Sequence, residues 1–106
     1  MAKILVIDDD PQLRRLLGRV LTATGHAVHE AKNGREGIDM FNLTLPALVI
    51  TDLVMPDTEG IETIRELRRA APALPILAIS GGSNHPLYLR AATELGATAA
   101  LAKPFK

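Results

Sequence analysis

Three carboxylates stand where apolar runs of this chain stop. Asp8 and Asp9 follow the run KILVI, and Asp52 closes LVIT. An aspartate that ends a buried strand can simply be meeting water, so a chemical role requires other charged groups at the same place. Further along, Ser80 ends the run PILAI with Gly81 and Gly82 behind it, and Lys103 follows TAALA. Carboxylates held close together repel, and one of them takes up a proton unless a cation intervenes. Mg²⁺ is suited to that place because it is held by one or two carboxylates, water and substrate phosphate. With the repulsion offset, Asp52 can attack phosphorus, as carboxylates do in forming aspartyl-phosphate intermediates. The Ser80 hydroxyl, the Gly81 backbone N–H and the Lys103 ammonium are the donor types that hold transferred phosphoryl oxygens.

These side chains meet only if the apolar runs are neighbouring strands that end on one edge. Residues 3 to 8 form a continuous apolar run of the kind expected for a strand covered on both faces. Asp10 is the candidate N-cap of a first helix, with Pro11 at its first position, Leu13, Leu16, Leu17, Val20 and Leu21 at helical spacing, and Gly25 beyond its end. Residues 26 to 31 read as a weaker second strand. Asn33 and Gly34 then turn the chain into a second helix carrying Ile38, Met40 and Phe41. Residues 47 to 52 are the third strand. A third helix runs from about Thr58 to Arg69, with Ile61, Ile64 and Leu67 inward and Pro72 and Pro75 closing it off. Residues 75 to 80 are the fourth strand, a fourth helix ends near Leu95, and residues 98 to 102 are the fifth strand. Strands alternating with helices predict an α/β domain with a mainly parallel sheet joined by right-handed crossovers. Ligands of such sheets bind beyond the carboxyl ends of the strands.

The segments VIDDD, VITDLVMPDTEG, AISGG and ALAKPF, in that order and spacing over nearly the whole chain, resemble the response-regulator receiver domain of two-component signalling. Each segment alone is weak, but four in register at strand ends are specific. The resemblance implies a flavodoxin-like parallel sheet of order 2-1-3-4-5, with Asp52 as phosphoacceptor and a histidine kinase or histidine phosphotransferase as donor. It implies Mg²⁺ held directly by Asp9 and Asp52, through water by Asp8, and by the backbone carbonyl of Val54. Ser80 and Lys103 would bind the phosphoryl oxygens.

Two positions depart from the receiver pattern. Ala100 stands where receivers usually carry Tyr or Phe, so any switch must use backbone shifts or another side chain such as Tyr88. The sequence ends at Lys106, without the usual fifth helix after the KPF segment. One sheet face, covered by the first helix alone, would then show an apolar patch for a second copy or a partner's helix to cover. Val54 and Gly82 offer no polar side chain to orient an attacking water, which predicts slow loss of the phosphoryl group.

Bulk properties narrow the alternatives. A length of 106 residues suits one domain over residues 1–106, and 47% hydrophobic residues suit a globular fold with a core of aliphatic side chains. Twelve basic and twelve acidic groups cancel, so no net field draws the chain to nucleic acid or a membrane surface. No cysteine is present, which excludes disulfides and thiolate chemistry and suits the cytoplasm. His26, His29 and His85 lack metal-ligand spacing and read as surface or loop residues. Three readings compete: a phosphoacceptor switch that is not a turnover enzyme, a Mg²⁺-dependent phosphatase with an aspartyl nucleophile, and a pseudo-receiver serving only as an interaction module. A truncated receiver of a larger regulator is a further alternative. A phosphatase of that type usually has a second acid two residues after the nucleophile, where this chain has Val54.

Overall fold

The computed structural model describes residues 2–52, 60–80 and 99–102. In chain order the elements are β1 (Lys3–Ile7), α1 (Pro11–Ala23), β2 (Ala27–Ala31), α2 (Gly34–Thr44), β3 (Leu48–Asp52), α3 (Gly60–Ala70), β4 (Ile76–Ser80) and β5 (Ala99–Ala102). The five strands form one parallel sheet of order β2-β1-β3-β4-β5. The segment expected to form a fourth helix lies outside the described residues.

Local chemistry explains where each helix begins and ends. Asp10, in extended conformation, accepts from the amides of Gln12 and Leu13, which would otherwise be left without partners at the start of α1. Pro11 fits the first position because its missing N–H costs nothing there. Gly25 takes φ 95° just past the C-cap Thr24, a conformation open to glycine without a Cβ penalty. Asn33 caps α2 by accepting from the Glu36 amide at 2.8 Å, while the Glu36 carboxylate accepts from the Lys32 amide at 3.1 Å. At the other end Leu45 adopts φ 48°, an uncommon state for a residue with a Cβ, and its amide bonds the Phe41 carbonyl.

The alternation of side chains along each strand divides the core in two. Toward α2 and α3, Leu5, Ile7, Val49, Ile76 and Ala78 pack with Phe41, Ile64 and Leu67, and Ile38 and Met40 lie against them. Toward α1, Ile4, Val6, Ile50 and Ile79 pack with Leu13, Leu17 and Leu21. The strand residues Ile4, Val6, Ile50 and Ile79 are all buried, so the sheet shows no bare apolar patch at these positions. On the outer side of α1, Leu16 and Val20 are 54% and 53% exposed. Helical spacing alone made all five of its apolar residues equivalent, whereas the sheet admits only the stripe of Leu13, Leu17 and Leu21.

Candidate functional site

Parallel register decides which strand ends meet. Ile7 of β1 pairs with Thr51 of β3, so the next residues along, Asp8 and Asp52, stand side by side at the carboxyl edge. The amide of Asp8 donates to Ala31 O at 3.0 Å, extending the ladder with β2 by one residue beyond Ile7. Asp52 pairs with Ile79, which puts Ser80 one residue further along β4, opposite Ala102 of β5. Asp52 is therefore carried on the hydrogen-bonded sheet and Asp8 one residue past β1, where the backbone has little freedom, while Asp9 follows in the bend toward α1.

Carboxylate oxygens of Asp8, Asp9 and Asp52 lie within 4.8 Å of one another. Asp8 is fully buried and Asp52 is 4% exposed, while Asp9 reaches solvent. The turn that carries the first two acids is held at several points. The Asp10 amide donates to Asp8 Oδ1 at 2.9 Å, Arg14 Nη1 donates to the Asp8 carbonyl at 2.9 Å, and the Arg14 amide donates to the Asp10 carbonyl at 3.0 Å. At the acceptor strand, Thr51 Oγ1 donates to the Asp52 carbonyl at 3.1 Å.

The donor set fits a small hard cation. Oxygen ligands of Mg²⁺ sit at about 2.0–2.1 Å in an octahedron, so ligand atoms on one ion are roughly 3 to 4 Å apart. Three carboxylate oxygens within 4.8 Å come close to that spread, and the absence of nitrogen or sulfur among them suits a hard ion. Asp8, Asp9 and Asp52, predicted as ligands from widely separated positions, are thus brought together. Ser80 and Ala100 are placed by strand register alone: Ser80 terminates β4, and Ala100 pairs with Ala78. Val54, Gly81, Lys103 and Tyr88 lie outside the described residues.

Arg14 and Glu30 belong to the surroundings of this cluster, although no motif marks them. Arg14 Nε pairs with Glu30 Oε1 at 3.1 Å, linking α1 to the outer strand β2. The only local signal is the position of Arg14 on the first turns of the helix that follows the acids. His26 has a structural task, since its Nδ1 accepts from the Ala2 amide at 3.0 Å; His29 lies half-buried in β2, and His85 lies outside the described residues. Among the described residues no helix is long and apolar enough to cross a membrane.

Comparison with known proteins agrees with this geometry. The chain is 36% identical over 103 residues to the transcriptional regulatory protein GlrR of Escherichia coli, an alignment covering 97% of this chain and 23% of that protein. It is 37% identical over 103 residues to the response regulator MprA of Mycolicibacterium vanbaalenii, covering 97% and 44%. The chain thus spans less than half the length of these curated relatives. A crystal structure of a response-regulator receiver domain protein from Clostridium thermocellum superposes with a TM-score of 0.92 at 30% identity, covering 100% of this chain and 85% of that one. Receivers of this kind generally bind Mg²⁺ at an acidic pocket and interact with histidine kinases or phosphotransferases. The family model of the response regulator receiver domain matches residues 4–106, and the chain belongs to that family.

Proposed function

We propose that the chain is the phosphoacceptor switch of a two-component pathway, taking a phosphoryl group on Asp52 from a histidine kinase or histidine phosphotransferase. The observation that carries this reading is the convergence of Asp8, Asp9 and Asp52 within 4.8 Å at the carboxyl edge of a parallel sheet. One carboxylate at a strand end has a bland explanation. Three from two strands, two of them buried, place mutual repulsion in a poorly solvated site and call for a compensating cation.

Asp9 and Asp52 would hold Mg²⁺ directly, Asp8 through water, and the Val54 carbonyl would complete the protein's share. The ion, when bound, supplies charge neutralisation between the acids and the incoming phosphoryl oxygens. An Asp52 carboxylate oxygen attacks phosphorus; its new O–P bond forms as the P–N bond of the donor phosphohistidine breaks, and the imidazole leaves with the bonding pair. Ser80, the Gly81 amide and Lys103 would hold the transferred oxygens. The change of charge at the sheet edge then alters the surface offered to an output partner. On this reading residues 1–106 act as one receiver unit in the cytoplasm. They work as a switch that catalyses its own phosphorylation and dephosphorylation, not as a turnover enzyme.

Intact-mass measurement after incubation with acetyl phosphate and Mg²⁺ tests the assignment. The parent chain gains one phosphoryl group, and Asp52→Asn gains none. A parent that stays unmodified would favour the pseudo-receiver, and steady release of phosphate over many turnovers would favour the phosphatase. Equal modification of Asp52→Asn would remove Asp52 from its role.

A further inference from the structure

Arg14 ties the acid-bearing turn to the rest of the fold. Asp8 follows β1 directly, and Asp9 and Asp10 complete the turn into α1. The carboxylates of Asp8 and Asp9 face a third on β3, so in their charged forms, with no cation bound, repulsion opposes holding the turn beside Asp52. The backbone amide of Asp8 is anchored to Ala31, and its carboxylate is anchored by the Asp10 amide. The remaining backbone group, the Asp8 carbonyl, accepts from Arg14 Nη1 at 2.9 Å.

The guanidinium is itself aimed. Glu30 Oε1 accepts from Arg14 Nε at 3.1 Å, leaving Nη1 turned to the Asp8 carbonyl, and the Arg14 side chain is only 16% exposed against 39% for Glu30. Gly18 makes room for this arrangement. A Cβ at that position would lie 3.2 Å from Glu30 Oε2, so a side chain there would press on the carboxylate that orients the arginine. The chain therefore runs from β2 through Glu30 to Arg14 on α1 and back to Asp8 at the end of β1. Planar donors in a fixed fork suit arginine to hold two acceptors at once, which an unconstrained ammonium does less well.

We propose that Arg14, oriented by Glu30 across Gly18, is a positioning residue that holds the Asp8 carbonyl so that the turn keeps the Asp8 and Asp9 carboxylates beside Asp52. This rests on the reading of the acidic cluster as a Mg²⁺ site. Partners that orient metal ligands commonly influence affinity by about 10- to 100-fold.

Isothermal titration of the metal-free full chain with Mg²⁺, alongside thermal unfolding, tests it. Arg14→Met should weaken Mg²⁺ binding about ten-fold in a chain that still unfolds cooperatively, as loss of an outer partner does. Arg14→Lys, which keeps a donor for the Asp8 carbonyl, should recover part of the loss. Glu30→Gln, at a half-exposed position, should weaken binding by a smaller factor of about two to three, below the usual range for direct partners of ligands because Glu30 acts only through Arg14. Backbone amide resonances of Asp9 and Asp10 should shift in the metal-free Arg14→Met chain. Folded Arg14→Met and Glu30→Gln chains that bind Mg²⁺ within about two-fold of the parent, well below the roughly ten-fold loss expected for Arg14→Met, would overturn the positioning role alone. A parent chain that binds no Mg²⁺ would overturn the metal-site reading and this inference with it.

Discussion

The two faces of the sheet are built on different principles. On the α2 and α3 side the contacts are apolar and close. Ile64 and Leu67 of α3 are fully buried against Leu5, Ile7, Val49 and Ile76, and Gly37 of α2 sits so near β1 that an added Cβ would lie 2.8 Å from Ile7 Cγ1. On the α1 side the apolar stripe is narrower, two of the helix's large apolar residues face solvent, and a polar chain from Glu30 through Arg14 reaches the acidic turn. One face mainly supplies stability, and the other connects the fold to the candidate site. Close packing has few arrangements and resists change, whereas hydrogen bonds to a turn can be altered while the core stays intact.

Substitutions that should affect one face more than the other sharpen this contrast. Leu67→Ala removes a fully buried side chain and should cost about 2–5 kcal/mol of unfolding free energy, read by denaturant titration. A loss below about 1 kcal/mol, typical of a half-exposed site, would deny the α3 face its dominant share. Gly37→Ala should cost about 1–2 kcal/mol, because overpacking against the buried Ile7 outweighs the gain in helix propensity. A stabilised variant would mean that α2 can withdraw from the sheet at little cost. Leu16→Gln, on the outer side of α1, should leave stability within about 0.5 kcal/mol. A large loss there would show that α1 carries apolar packing beyond its inward stripe.

The same contrast explains what could be read from the chain before its fold. Buried strands appear as unbroken apolar runs, so β1, β3 and β4 were legible to within a residue at their ends. Caps act over two or three residues, which is why Asp10, Gly25 and Asn33 were recognisable as helix boundaries. The exposure of Leu16 and Val20 was not, since spacing identifies which residues share a helix but not how wide a stripe the sheet covers. The Arg14 and Glu30 pair was invisible for a related reason. It joins a helix to an edge strand, and nothing in either local segment specifies the other.

Residue order alone establishes the alternation of strands and helices and puts an acid at the end of each of two apolar runs, because apolar periodicity and capping are local properties of a chain. It also carries the receiver motifs by resemblance. What tertiary structure decided is that β1 lies between β2 and β3 and that Ile7 pairs with Thr51. Only that pairing makes Asp8 and Asp52 neighbours, and only the docking of α1 beside β2 brings Arg14 to both Glu30 and the Asp8 carbonyl. The physical reason is that a site formed from distant segments depends on strand pairing and burial, and these are settled by the whole core at once.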